Sequence, residues 1–333
     1  MDILRSTTPI PGLVWAYHID ARRQSATRLP MEASAADLMP AEGFLWLHLN
    51  LADTRVPAFI EQFEGLVEAA RAALINHEHH AALSVDEQLI YGTLVDFQRE
   101  FAAATRDIGW LHFALSDRFI ITTRLQPIRS VDLLRVAIEK NPAKFASPMQ
   151  VYEVLVAEFQ RGIMALVLEL MDEINRIEDV VYDADMRDER TQLAPLRRII
   201  VRLHRHLRGM LSMMRRANAA DEDEMPVGFE DVSGRLINRL EAADHDVYAL
   251  HERARLLHEE IDSKLSSETN RHLYILSLMT AFLLPPSLVT GFFGMNTSHL
   301  PFTSGPEGSA YAIAFIIGSI LLAWFILKRA RIL

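Results

Sequence analysis

The stretch TGFFGMNTSHLPF, residues 290–302, lies between two long runs that carry no Asp, Glu, Lys or Arg, and its reading decides the fold. Residues 273–293 form the first run and residues 310–327 the second. A helix needs roughly 20 residues to cross a hydrocarbon core about 30 Å thick, so each run is long enough to span a bilayer. Two C-terminal transmembrane helices are therefore expected, joined by a turn that holds glycine, methionine and asparagine. Arg271 precedes the first span and Lys328, Arg329 and Arg331 follow the second, while the turn has no Lys or Arg. The positive-inside bias then places both termini in the cytoplasm and the turn outside a bacterial-type inner membrane.

The start of the chain, MDILRSTTPIPGLVW, has no apolar run behind a basic flank, so neither a secretory signal nor a transit peptide is expected. The 333 residues include no cysteine, which excludes disulfides and thiolate metal sites; a metal would be met by oxygen or imidazole. A formal net charge of −10 argues against a nucleic-acid partner and favours local accumulation of cations.

The chain changes character along its length. The segments GLVWAYHI, FLWLHL, LIYGTLVDF, DIGWLHFAL and RFIITTRL mix aromatic and β-branched residues in strand-length pieces. Residues 56–73 and 130–140 read as helices between and after them. Residues 1–147 are thus expected to form an α+β cytoplasmic domain, a mixed sheet with flanking helices, without a P-loop or dinucleotide fingerprint.

Residues 148–269 read as a helical hairpin and a stalk helix. Val151, Leu155, Leu166, Leu170, Ile174, Ile177 and Val181 recur at helical spacing, and Leu193, Leu196, Ile200, Leu203, Leu207, Met210 and Met214 do so again. After the acidic break at residues 221–224, Val232 to Leu265 keep a three-and-four spacing that runs into the first span without a stop signal. A helix over residues 229–293 would be about 95 Å long. The remaining boundaries are a first span at 270–293, an outer loop at 294–309, a second span at 310–327 and a basic tail at 328–333.

Within the first span the polar residues fall on the same spacing. Asn270, Leu273, Ser277, Thr280, Leu284 and Ser287 define one line along the helix. Ser and Thr in a membrane helix commonly bond back to their own carbonyls or join helices; the alternative is that this line faces water. A lone pair of helices encloses no channel, so a wet line requires several copies around one axis, first spans inside and second spans outside. Pro285 and Pro286 deprive the carbonyls of Ala281 and Phe282 of their amide partners, which a wet axis would tolerate. Gly291 and Gly294 permit close approach and positive φ where the helix ends. A ring of Asn296 carboxamides would accept hydrogen bonds from the water shell of a cation.

These residues resemble the CorA-type divalent-cation transporters, and within them the ZntB-like zinc branch. The resemblance rests on RHLYILSLMTAFLLPPSLVTGFFGMN, residues 271–296, followed by a short loop, a last span and a basic tail. It implies a CorA-like funnel, a homopentamer in the lipid bilayer with the first spans lining the pore. Gly294, Met295 and Asn296 would be the selectivity entrance, with Asn296 holding the ion through its hydration water, and Asn270 would ring the cytoplasmic end. The loop TSHLP has no acidic residue beside Asn296, and its Leu-Pro ending is similar to the zinc branch; His299 offers an imidazole, a ligand that suits zinc better than magnesium.

No resident cofactor is expected. The transported ion is the ligand: Zn2+ first, with Mg2+, Co2+, Ni2+ and Cd2+ as competitors, moved inward by membrane potential or with protons. A CorA-like magnesium or cobalt channel and a membrane-anchored metal sensor or scaffold are the alternatives, whereas no nucleophile, base and orienter assemble into an enzyme. Histidines at NHEHH (residues 76–80), His204, His206, His245, His251 and His258 are candidates for regulatory metal or proton sites, or for ordinary solvated faces.

Overall fold

The computed structural model describes residues 9–76, 80–86, 89–99, 106–183, 189–219, 225–226, 228–295 and 308–331. Residues up to Leu257 form one compact unit and those from His258 onward a second.

In the first unit β1 (Leu13–Asp20), β2 (Ser25–Arg28), β3 (Phe44–Asn50), β4 (Ala82–Asp86), β5 (Leu89–Phe97), β6 (Ile108–Leu115) and β7 (Phe119–Arg124) make a seven-stranded sheet in the order β2-β1-β3-β7-β6-β5-β4. The sheet is mixed because β3 and β7 run parallel, Leu45 opposite Phe119 through Asn50 opposite Arg124, while the other pairs are antiparallel. FLWLHLN reads as an almost unbroken apolar run because β3 lies inside the sheet with both faces covered. On one face Ala16, Leu45, Leu47, Leu49, Ala114 and Ile121 pack with Phe59 and Ile60 of α1 (Val56–Glu61) and Ala70 and Leu74 of α2 (Glu68–Leu74). On the other, Tyr17 stacks on Trp46, and Phe113 meets Tyr152 of α4 (Pro148–Asp183), which packs beside α3 (Arg129–Lys140).

Two local details differ from the sequence reading. The helix expected over residues 56–73 is two helices, parted where Gly65 turns the chain at φ +86°; only glycine takes that angle without cost. The edge strands β2 and β4 escape the pattern because neither has a fully buried residue to mark a face.

The middle of β3 also holds a buried polar network. His48 Nδ1 lies 2.8 Å from Thr122 Oγ1, and Arg124 Nε donates to His48 Nε2 at 3.2 Å, which leaves the Nδ1 hydrogen for Thr122. Burial, reinforced by the Arg124 charge, holds the imidazole well below its ordinary pKa, so His48 is neutral.

Asp96, buried at the end of β5, accepts hydrogen bonds from Phe97 N (2.7 Å), Ser130 N (3.0 Å) and Ser130 Oγ (2.9 Å), and so satisfies the first turn of α3. Burial pushes its carboxyl up to about 7, against an ordinary value of about 3.9. Between those values the folded protein keeps a proton that the unfolded chain has released. Its contribution to stability is therefore fully present below about pH 4 and lost as pH rises through about 7. The expected result is a component of the thermal midpoint that falls over that window and is absent in Asp96→Asn; an identical pH profile in the variant would refute this assignment.

Three long helices complete the unit. The apolar lines of α4 and of α5 (Glu189–Asn218) are buried at every position named from their spacing. α6 (Phe229–Phe293) buries Val232, Leu236, Leu240, Ala243, Val247, Leu250, Ala254 and Leu257 in the same unit. Arg235 grips Glu153 of α4 through two bonds of 2.9 Å, and Arg253 does the same with Glu178, its Nε 2.9 Å from Oε1. The pairing with Arg235 lowers the Glu153 pKa.

The second unit comprises the rest of α6 and α7 (Gly308–Arg329). In it His258 approaches Asp262 at 3.5 Å and Lys264 approaches Glu260 at 3.6 Å, the ordinary pairing of a solvated helix face.

Candidate functional site

α6 and α7 both carry a window long and apolar enough to cross a membrane, and those windows are 0% and 6% buried. Leu276, Leu283, Leu288, Leu321 and Leu322 are all more than half exposed. In water such surface would be unfavourable at about 25 cal/mol per Å2; lipid, and further copies of the helices, are its natural cover.

The exposure is not uniform around α6. Leu278, Ala281, Phe282, Pro285, Pro286, Val289 and Phe293 are half-covered and share one side of the helix. On α7 the covered residues are Ala312, Ile316, Ser319, Ala323 and Leu327, again a single line. These two lines are the contact between the helices, and the Phe293 and Phe315 rings meet at the C-terminal end of α6, 6.1 Å apart.

Asn270, Leu273, Ser277, Thr280, Leu284 and Ser287 are all exposed. At 3.6 residues per turn their line lies about 150° around the helix from the covered line. The polar line thus faces away from α7 and is open along its length. Thr280 Oγ1 donates to the Leu276 carbonyl at 2.8 Å and Ser287 Oγ to the Leu283 carbonyl at 2.7 Å, the local bonding that hydroxyls adopt in helices. Each hydroxyl proton is thereby committed to the backbone, and the oxygen still has lone pairs to accept with.

Two expectations are corrected at this point. Pro285 and Pro286 lie within an uninterrupted helix, and the carbonyls they free belong to Ala281 and Phe282, on the α7 side. The proline pair therefore adds nothing to the open line. Gly291 is inside α6 and Gly294 follows its end, its N–H bonded to the Thr290 carbonyl at 2.9 Å; neither takes a positive φ. A Cβ at Gly294 would stand 3.0 Å from that carbonyl, so close approach is the constraint there.

Met295 is exposed and lines an apolar recess of about 650 Å3 with Leu288, Val289, Phe292, Phe293 and Phe315. Asn296 and His299 lie outside the described residues, as do His77 and His79. Among the described residues no group of three or more His, Asp or Glu side chains is placed so that it could hold a metal ion. His48 and its network are the polar feature that the sequence reading missed; a histidine inside an apolar strand run was the available signal.

Residues 41–329 match the family model described as CorA-like Mg2+ transporter protein. The chain belongs to this family. CorA-family proteins transport divalent cations, and with its two candidate spans the chain is an integral membrane protein of that kind. A divalent cation transporter, CmaX of Pseudomonas aeruginosa, is 27% identical over 96% of both chains. The zinc transport protein ZntB of Yersinia pseudotuberculosis is 22% identical over 99% of both. The cobalt/magnesium transport protein CorA of Methanocaldococcus jannaschii is 25% identical over 65% of this chain and 66% of its own length. Among solved structures, full-length CmaX superposes with a TM-score of 0.80 at 23% identity, covering 98% of this chain and 100% of that one. The M. jannaschii CorA magnesium transporter does so at 0.73 and 15%, covering 95% and 97%. The CorA-like fold, a mixed-sheet domain with a long helix and two C-terminal candidate spans, is thereby established.

Proposed function

We propose that five copies of the chain close around the open line of α6 and conduct divalent cations, zinc foremost, into the cytoplasm across an inner membrane, both termini lying on the cytoplasmic side. The observation that carries this reading is the position of the polar line, exposed and turned away from the other candidate span, α7. A two-helix anchor has no use for such an arrangement, because its polar residues would then face hydrocarbon.

In the assembly Asn270, Leu273, Ser277, Thr280, Leu284 and Ser287 line the path, α7 stands outside, and Gly294, Met295 and Asn296 form the outer entrance. Oxygen dipoles along the path hold a hydrated ion loosely enough for it to leave. Zinc is favoured over magnesium by the full-length similarity to a zinc transport protein and by the imidazole that His299 offers three residues after Asn296, which has no acidic residue next to it in sequence. A magnesium or cobalt channel is the second reading, favoured by the family description and by the M. jannaschii relative.

Purified full-length protein in liposomes is expected to take up zinc, with magnesium, cobalt, nickel and cadmium tested as competitors. Uptake that magnesium suppresses as effectively as unlabelled zinc would replace the zinc reading with the magnesium one. Absence of uptake of all five ions would overturn both.

A further inference from the structure

The cleft between α5 and α6 carries more positive charge than its own carboxylates use. Arg208, Ser212, Arg215 and Arg216 of α5 form one wall, and Glu241, Asp244 and Tyr248 of α6 lie on the other. Glu241 is held by Arg215, and Asp244 turns Oδ1 away from solvent to a point 3.4 Å from His204 Nε2. Arg216 Nη1 donates to Ser212 Oγ at 2.9 Å, and among the described residues neither Arg208 nor Arg216 is paired with a carboxylate. Both are exposed. The chain has 44 acidic side chains to 34 Lys and Arg, so carboxylate partners were not in short supply.

A guanidinium presents five N–H donors in a planar fork that matches phosphate oxygens two at a time. Arg208 and Arg216 are two turns apart on α5, about 12 Å at 1.5 Å per residue, with the Ser212 hydroxyl halfway between them. A single phosphate cannot reach along such a line, whereas a chain of phosphates can. The cleft also has an aromatic end. Tyr248 is 50% exposed, and the His204 ring backs it on one side at 5.8 Å between centroids. Arg208 follows His204 by one turn of α5, so the line of donors starts beside that ring. The cleft encloses about 670 Å3, within the range of small-molecule sites, about 300–1,000 Å3.

We propose that this cleft binds a nucleoside polyphosphate, its base laid on Tyr248 and its phosphates along Arg208, Ser212 and Arg216. The tyrosine face accepts any base, because every base has a π-face to stack, so the site selects the class of ligand and not one nucleobase. The charge-assisted bonds from the two guanidiniums supply the recognition of phosphate. Arg215 contributes less, since Glu241 already occupies it. The ligand touches both helices and so ties α5 to α6, whichever ion the protein conducts.

The test is equilibrium dialysis of labelled ATP against full-length protein in detergent, in chelator so that no divalent ion mediates the contact, for wild type, Arg208→Gln, Arg216→Gln and Tyr248→Ala. Wild type is expected to bind one ATP per chain, and each arginine variant to bind about tenfold more weakly or worse, the loss of a charge-assisted bond. Tripolyphosphate is expected to compete with ATP in wild type more weakly than unlabelled ATP does, and to bind Tyr248→Ala as well as it binds wild type. Matching thermal midpoints without nucleotide show that the variants are folded. No saturable ATP binding at millimolar concentration, or equal ATP affinity in all four proteins, would overturn the proposal. Tripolyphosphate competing as well as ATP would overturn the nucleotide assignment by showing that the phosphates alone are read.

Discussion

Vesicles carrying Asn296→Ala are expected to take up zinc at less than about one-tenth of the wild-type rate, with the oligomer intact by size-exclusion chromatography in detergent. A neutral hydrogen bond contributes about 0.5–1.5 kcal/mol net, and about 1.4 kcal/mol on a barrier is a tenfold change in rate. Removing one carboxamide from every copy around the entrance removes several such bonds to the ion's water shell at once. Unchanged flux would reject Asn296 as the entrance and move selectivity elsewhere along the path.

Thr280→Lys is expected to abolish uptake altogether. A unit charge about 4 Å from a divalent ion costs about 2 kcal/mol even at the dielectric of bulk water, and every copy around the axis adds its own contribution. Thr280 is exposed on the line opposite α7, so the ammonium would stand in the path. The matched control is Leu321→Ser, a residue of α7 that is itself 58% exposed and assigned to lipid, for which flux close to wild type is expected. Equal flux in Thr280→Lys and wild type would mean that the line does not face the ion.

Much of this architecture was legible because it is written in periodicity. The three-and-four spacing from Val232 onward predicts one long helix, and α6 does run unbroken from Phe229 to Phe293. The same rule picked out the buried lines of α4 and α5 and the six residues of the polar line. What periodicity cannot supply is the azimuth of a neighbour. That Pro285 and Pro286 lie toward α7 depends on where α7 packs, and no spacing within α6 carries that information. Gly65 split a predicted helix because one backbone angle outweighed the apolar pattern on either side. In β3, His48 was passed over as one more member of an apolar run, since its partners Thr122 and Arg124 are more than 70 residues away in sequence. The candidate site divides in the same way: its composition was readable in the chain, whereas its openness became visible only once α7 was in place.

The inward donation by Thr280 and Ser287 has a consequence for which solutes the helix would admit. With their hydrogens turned to the backbone, these side chains present electron pairs and no protons to whatever passes. A hydrated cation, whose outermost atoms are water hydrogens, finds an acceptor at each of these two positions, two turns apart, while chloride or phosphate finds no donor from either hydroxyl. Discrimination by sign of charge would then belong to a single helix, before any second subunit arrives.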